Sequence, residues 1–117
     1  MTGVVSYLAG QVAEDQVAAD YARRGHRILS RRWRGRAGEL DLVVEKNGTI
    51  IVIEVKKSRS FARAAEQLSP RQQARIWDSA ADYVGHMPLG QRTDIRVDVA
   101  LLDCHGDLRV LENALCA

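Results

Sequence analysis

A chain of 117 residues, 46% apolar and 27% charged, has the size and composition of one soluble globular domain that buries a core without disulfide or metal staples. No apolar run approaches the roughly 18–20 residues of a membrane span, and no basic region followed by an apolar stretch opens the chain, so neither a membrane anchor nor a secretory signal is expected. Cys104 and Cys116 are too few for a disulfide framework and lack metal-type spacing, which makes a reducing cytoplasm the expected location.

The net charge is only +2, but it is unevenly spread. Arg23, Arg24, Arg27, Arg31, Arg32, Arg34 and Arg36 follow one another with no acid among them, and Lys56, Lys57, Arg59, Arg63, Arg71 and Arg75 are opposed in their interval only by Glu66. The last strand region reverses the balance with Asp94, Asp98, Asp103, Asp107 and Glu112. A basic middle of this kind suits a polyanion, although a solvated basic surface would have the same composition.

Residues 1–6 carry no pattern and are expected to be without order. From about Tyr7 to Arg24 the chain is rich in alanine and closes on Gly25, which predicts a helix. Glu14, Val17, Ala18 and Tyr21 fall at i, i+3, i+4 and i+7, so a carboxylate shares the face that should meet the core. Such a group is paired, binds a metal, or sits at the stripe's edge and reaches water.

Residues 26–33 suggest a strand centred on Ile28 and Leu29, with Trp33 at its end as a core residue in preference to a base-stacking one. Gly35 and Gly38 turn the chain into two aliphatic runs, 39–46 and 49–57, which flank Asn47-Gly48. Asn-Gly favours a type I′ turn because both central positions need positive φ, and a hairpin is predicted. A polar break at Ser58-Arg59-Ser60 precedes a short helical stretch near Phe61 to Leu68. Ser69-Pro70 then reads as an N-cap with proline at the first helical position. That helix runs to about Val84, with Ala74, Ile76, Trp77, Ala80, Ala81 and Val84 on its buried side, and Gly85 ends it. Two last strands, about Ile95 to Leu102 and Leu108 to Leu111, flank His105-Gly106-Asp107. The order α-β-β-β-α-β-β, with a helix between the third and fourth strands, predicts a single α/β domain with a mixed sheet flanked by helices.

The hairpin carries the chemistry. With Asn47 and Gly48 as loop residues, opposed positions sum to 95, so Asp41 faces Glu54 and Glu39 faces Lys56. Opposed like charges have Cβ atoms only about 4.5–5.5 Å apart and destabilise a sheet, so Asp41 opposite Glu54 calls for a cation. Lys56 alone can supply it on a solvated face. A metal ion is the sharper alternative: with Glu14 the set offers hard oxygen donors and neither thiol nor imidazole, which suits Mg²⁺ or Mn²⁺ better than zinc. Two carboxylates and an ammonium group fit phosphodiester hydrolysis, in which a metal acidifies water and the cations offset transition-state charge. Ser58 and Ser60 lack a His and Asp arrangement, no glycine-rich phosphate loop occurs, and His26, His86 and His105 have no ligand spacing.

Glu14, Gly25-His26-Arg27-Ile28-Leu29, Trp33-Arg34, Gly38-Glu39-Leu40-Asp41-Leu42, Ile53-Glu54-Val55-Lys56 and Arg96-Val97-Asp98-Val99 together resemble the signatures of the YraN family of small bacterial proteins. That family falls in the restriction-endonuclease-like PD-(D/E)xK superfamily. The resemblance implies a restriction-endonuclease-like mixed sheet and a site in which Asp41 and Glu54 hold Mg²⁺, Lys56 serves the attacking water, and Glu14 completes the acidic cluster. Where many relatives carry a lysine, this chain has Gln72.

The resulting expectation is a Mg²⁺- or Mn²⁺-dependent DNA endonuclease or DNA-processing protein, possessing structure selectivity, with RNA left open as substrate. Its nucleic-acid contacts are assigned to Arg31, Arg34, Arg36, Lys57, Arg59, Arg71 and Gln72. The alternative is a nucleic-acid-binding adaptor whose nuclease site is inactive or vestigial. A domain this small engaging both strands of a duplex suggests a homodimer.

Overall fold

A computed structural model describes residues 3–115, with side chains from residue 10 onward. Helix α1 (Gly3–Arg23) leads into β1 (Arg27–Arg34), β2 (Glu39–Lys46) and β3 (Thr49–Lys57); α2 (Phe61–Glu66) and α3 (Pro70–Gly85) follow, then a 3₁₀ turn at Gly90–Arg92, β4 (Ile95–Leu102) and β5 (Leu108–Leu111). The expected order holds, with two helices filling the crossover. Among the described residues no helix is long and apolar enough to cross a membrane.

The expected disorder of residues 1–6 is corrected in part: α1 already begins at Gly3, while residues 1 and 2 lie outside the described residues. Once the alanine-rich body of a helix is nucleated, each further residue adds a hydrogen bond at little cost, so a patternless start can still be helical. The other end is closed by Gly25 at φ 88, with the His26 N–H donating to the Tyr21 carbonyl at 3.1 Å. This is the left-handed cap that glycine allows.

The five strands lie in chain order, β1-β2-β3-β4-β5, all neighbours antiparallel except β3 and β4. The parallel pair requires a crossover, and α2 with α3 supplies it. Central β3 has no exposed face along Ile50-Ile51-Val52-Ile53, which explains its unbroken aliphatic run. On one face Val43, Ile50, Val52, Val97 and Val99 pack with Ile76, Ala80 and Ala64 from α3 and α2. On the other, Leu42, Val44, Ile51, Ile53 and Ala100 pack with Ala13, Val17, Ala18 and Tyr21 of α1. Burying each of the valine, leucine and isoleucine side chains contributes about 1.5–3 kcal/mol.

The α3 start is as expected, with Ser69 Oγ accepting from the Gln72 N–H at 3.2 Å ahead of Pro70. Its buried side differs in part. Ala74 and Ala81 are exposed, and Ser79 is buried instead. Alanine is too small to mark a face by itself, so periodicity misassigned those positions. Trp33 is a core residue, half-buried and edge-on to Tyr83 with ring centroids 5.1 Å apart.

Candidate functional site

The hairpin register is the one the Asn47-Gly48 turn dictates, from Lys46↔Thr49 to Leu42↔Ile53, with Asn47 at φ 52 and Gly48 at φ 82. The ladder stops there. Asp41 does not continue it through its backbone; its Oδ2 accepts from the Val55 N–H at 2.8 Å. The alternation of faces breaks at the same point, since Leu40 and Val43 share one core although three positions apart. On the neighbouring strand Arg32, at φ 51, falls between the pairs Arg31↔Leu42 and Trp33↔Leu40, so both strands are distorted where Asp41 sits.

Asp41 and Glu54 are nevertheless brought together. Glu54 is only 6% exposed, and Asp41 is electrostatically coupled to it and to Glu14. Burial first, then the charge on Glu54, pushes the Asp41 carboxyl up to about 7; the Val55 N–H opposes the rise, and Glu14 adds to it. A like-charged pair this close cannot both ionise cheaply.

Lys56 lies next to this pair with Nζ 3.3 Å from Glu54 Oε1. Gln72 on α3 holds it from the other side. With the Gln72 amide oriented so that its nitrogen donates to the Gln67 carbonyl at 2.7 Å, its oxygen accepts from Lys56 Nζ at 2.6 Å. Gln72 therefore positions the ammonium group, a role that its place among the expected nucleic-acid contacts did not anticipate. Glu39, expected opposite Lys56, pairs with Arg34 at 3.3 Å, its partner in the β1–β2 register, and the β2–β3 ladder does not extend to Lys56.

Glu14 is buried on the α1 face as its stripe position requires, at 8% exposure. Its Oε2 accepts from Arg32 Nε at 2.8 Å, so the third carboxylate already has a cation of its own. Among the described residues no three His, Cys, Asp or Glu side chains converge as a ready metal cage. Asp41 and Glu54 still suit a hard divalent cation. They are adjacent oxygen donors in a locally over-negative environment, and Mg²⁺ is commonly held by one or two carboxylates while keeping several waters.

The expected nucleic-acid contacts divide. Arg31 is paired with Asp15, and Arg34 with Glu39. The Arg36 backbone N–H donates to Asp82 Oδ2 at 3.1 Å, which ties the β1–β2 turn to α3. The side chains of Arg36, Lys57, Arg59 and Arg71 are exposed and form no ion pair among the described residues. Sequence reasoning missed Arg32 as the partner of Glu14, since nothing in a run of arginines singles out one that folds back. It also left Asp98 unassigned. That carboxylate is fully buried on β4 and accepts from Tyr21 Oη at 2.6 Å, from Arg96 Nε at 2.8 Å and from the Asn113 N–H at 2.9 Å. Its role is to tie α1 and the segment after β5 to the sheet.

The fold and site define a small mixed-sheet α/β protein with a buried aspartate–glutamate pair and a lysine held beside it at the end of a central hairpin. The profile described as "Uncharacterised protein family UPF0102" matches residues 13–102, and the chain belongs to that family, the YraN family of the sequence resemblance. A UPF0102 protein of Cereibacter sphaeroides is 49% identical over 117 residues, covering the whole of both chains. One from Ruegeria pomeroyi is 48% identical over 112 residues, 96% of this chain and 91% of its own. One from Dinoroseobacter shibae is 38% identical over 111 residues, 95% of this chain and 83% of its own.

Proposed function

We propose that this protein is a restriction-endonuclease-like, PD-(D/E)xK-type phosphodiesterase that hydrolyses DNA with Mg²⁺ or Mn²⁺. The observation that carries this reading is the packing of Asp41, Glu54 and Lys56 into one cluster, in which Asp41 resists ionisation and Lys56 is held by both Glu54 and Gln72. A divalent cation, when bound, supplies Lewis acidity toward a phosphate oxygen and lowers the pKa of water. Asp41 and Glu54 would hold that cation, whose charge would offset the repulsion between them. Lys56 donates hydrogen bonds to the incoming water or to the phosphate oxygens as negative charge grows there. Gln72 keeps the ammonium group aimed at that position and away from full neutralisation by Glu54.

The test is cleavage of labelled single-stranded, duplex, flap and four-way-junction DNA with Mg²⁺, Mn²⁺ or EDTA. Metal-dependent products that vanish in Lys56→Ala are expected. A second reading, an adaptor that binds nucleic acid through a vestigial site, is favoured by the pairing of Glu14 with Arg32, which leaves two acids where a fuller site would have three. Tight metal-supported binding to every substrate with no cleavage of any would select it.

A further inference from the structure

Beside the carboxylate–lysine cluster, an open groove of about 730 Å³ runs along the first turns of α3, lined by Ser69, Arg71, Gln72, Ala74, Arg75 and Asp78. Gln72 belongs to both places: its side chain holds Lys56, and its helix position borders the groove. Arg71 and Arg75 are exposed and have no ion pair among the described residues. They contrast with Arg31 and Arg34, whose charges are met by Asp15 and Glu39. Unpaired cations keep their full attraction for an incoming anion, whereas paired ones must first give up a carboxylate.

We infer that this groove is the seat of a single nucleic-acid strand, with Arg71 and Arg75 contacting neighbouring phosphates of the strand whose next phosphate reaches Lys56. This rests on the phosphodiesterase reading and specifies where its substrate lies. Arg71 and Arg75 are one helical turn apart, so their Cβ atoms are about 5–6 Å from one another, a spacing that addresses successive phosphates of one strand. Arg75 is further fixed by Gly38 of the β1–β2 turn, where an added Cβ would fall 3.2 Å from Arg75 Cδ. That close approach lets the arginine stem lie against the turn. Asp78 also lines the groove, one turn beyond Arg75, and repels phosphate, so the strand lies over Arg71 and Arg75 on the side where Gln72 meets Lys56. The exposed face of β1, although richer in arginine, is not the contact surface.

The experiment measures binding of fluorescently labelled single-stranded and duplex DNA by anisotropy, in EDTA, across a salt series. Arg71→Ala/Arg75→Ala should weaken binding about tenfold or more and flatten the log–log salt slope by about 1.4 for a single strand, roughly 0.7 for each lost phosphate. Arg71→Lys/Arg75→Lys should recover most of the affinity. Arg31→Ala/Arg34→Ala should change it less than about twofold. Unaltered melting curves separate these effects from misfolding. Wild-type affinity in the α3 double variant, a dominant loss in the β1 double variant, or no binding by the wild type would each overturn the proposal. Binding that follows the α3 arginines without cleavage under any metal condition would leave the groove in place and remove only the hydrolytic reading.

Discussion

Arg32 and Glu14 form an ion pair with Nε 2.8 Å from Oε2, joining a strand residue at positive φ to a buried carboxylate on the opposite helix. The pair stands where a third metal ligand is expected from the family resemblance. If Glu14 is committed to Arg32, Mg²⁺ or Mn²⁺ should stabilise the folded protein through Asp41 and Glu54 alone, by about 2.7 kcal/mol at a hundredfold excess over Kd. Glu14→Gln should retain that melting shift and Asp41→Asn/Glu54→Gln should lose it. Loss of the shift in Glu14→Gln would make Glu14 a ligand after all. Arg32→Ala without metal should destabilise by about 1–3 kcal/mol, less than a fully buried pair because Arg32 is partly exposed, and Glu14→Gln in the same chain should recover much of it.

Asp41 makes stability depend on pH. Its carboxyl is raised to about 7 in the folded protein, against an ordinary value near 4 in the unfolded chain, so between those limits the folded state binds the extra proton. The stabilising contribution is complete below about pH 4 and is lost as pH rises through about 7. Metal-free Asp41→Asn should therefore be more stable than wild type at pH 8, by about 1–3 kcal/mol or several degrees in Tm, with a flatter profile between pH 5 and 8. Urea denaturation across that range measures it; a parallel pair of profiles would remove Asp41 as the source.

Lys56 and Gln72 should separate chemistry from binding. Lys56→Ala is expected to abolish cleavage while leaving DNA affinity within about twofold, because one lysine among many basic groups adds little phosphate contact. Gln72→Ala, which removes the 2.6 Å acceptor, should lower kcat by about tenfold or more with little effect on KM. Single-turnover assays distinguish the two. A Gln72→Ala defect confined to KM would make Gln72 a phosphate contact instead.

Tyr21 and Asp98 bind the first helix to the fourth strand. Burial, followed by the Asp98 carboxylate that its hydroxyl donates to, pushes the Tyr21 phenol well above the usual range, so it remains a donor at all ordinary pH. Tyr21→Phe should cost about 1.5–3 kcal/mol, the value of a hydrogen bond to a buried charge, without altering metal response. Equilibrium unfolding in urea would show it. A loss below about 0.5 kcal/mol would mean that Arg96 and the Asn113 N–H satisfy Asp98 by themselves.

Local chemistry alone determined much of this protein. The positive-φ demand of a type I′ turn placed Asn47-Gly48 and with it the hairpin register; the 3.6-residue period put Glu14 on the buried face of α1; and Ser69-Pro70 marked the start of α3. That register carried Asp41, Glu54 and Lys56 to the same end of the hairpin, although the ladder itself stops at Leu42↔Ile53 and the Asp41 side chain makes the next contact. What the tertiary structure decided is the partner of each charge. The pairing of Arg32 with Glu14, the capture of the Val55 N–H by Asp41 and the holding of Lys56 by Gln72 join residues distant in the chain, and the nearer claim of Arg34 on Glu39 crosses from one strand to the next. A turn or a helical face is set by a few consecutive dihedral angles, whereas an arginine's carboxylate is chosen by which elements pack within reach of its long side chain, and only the packed sheet and helices determine that.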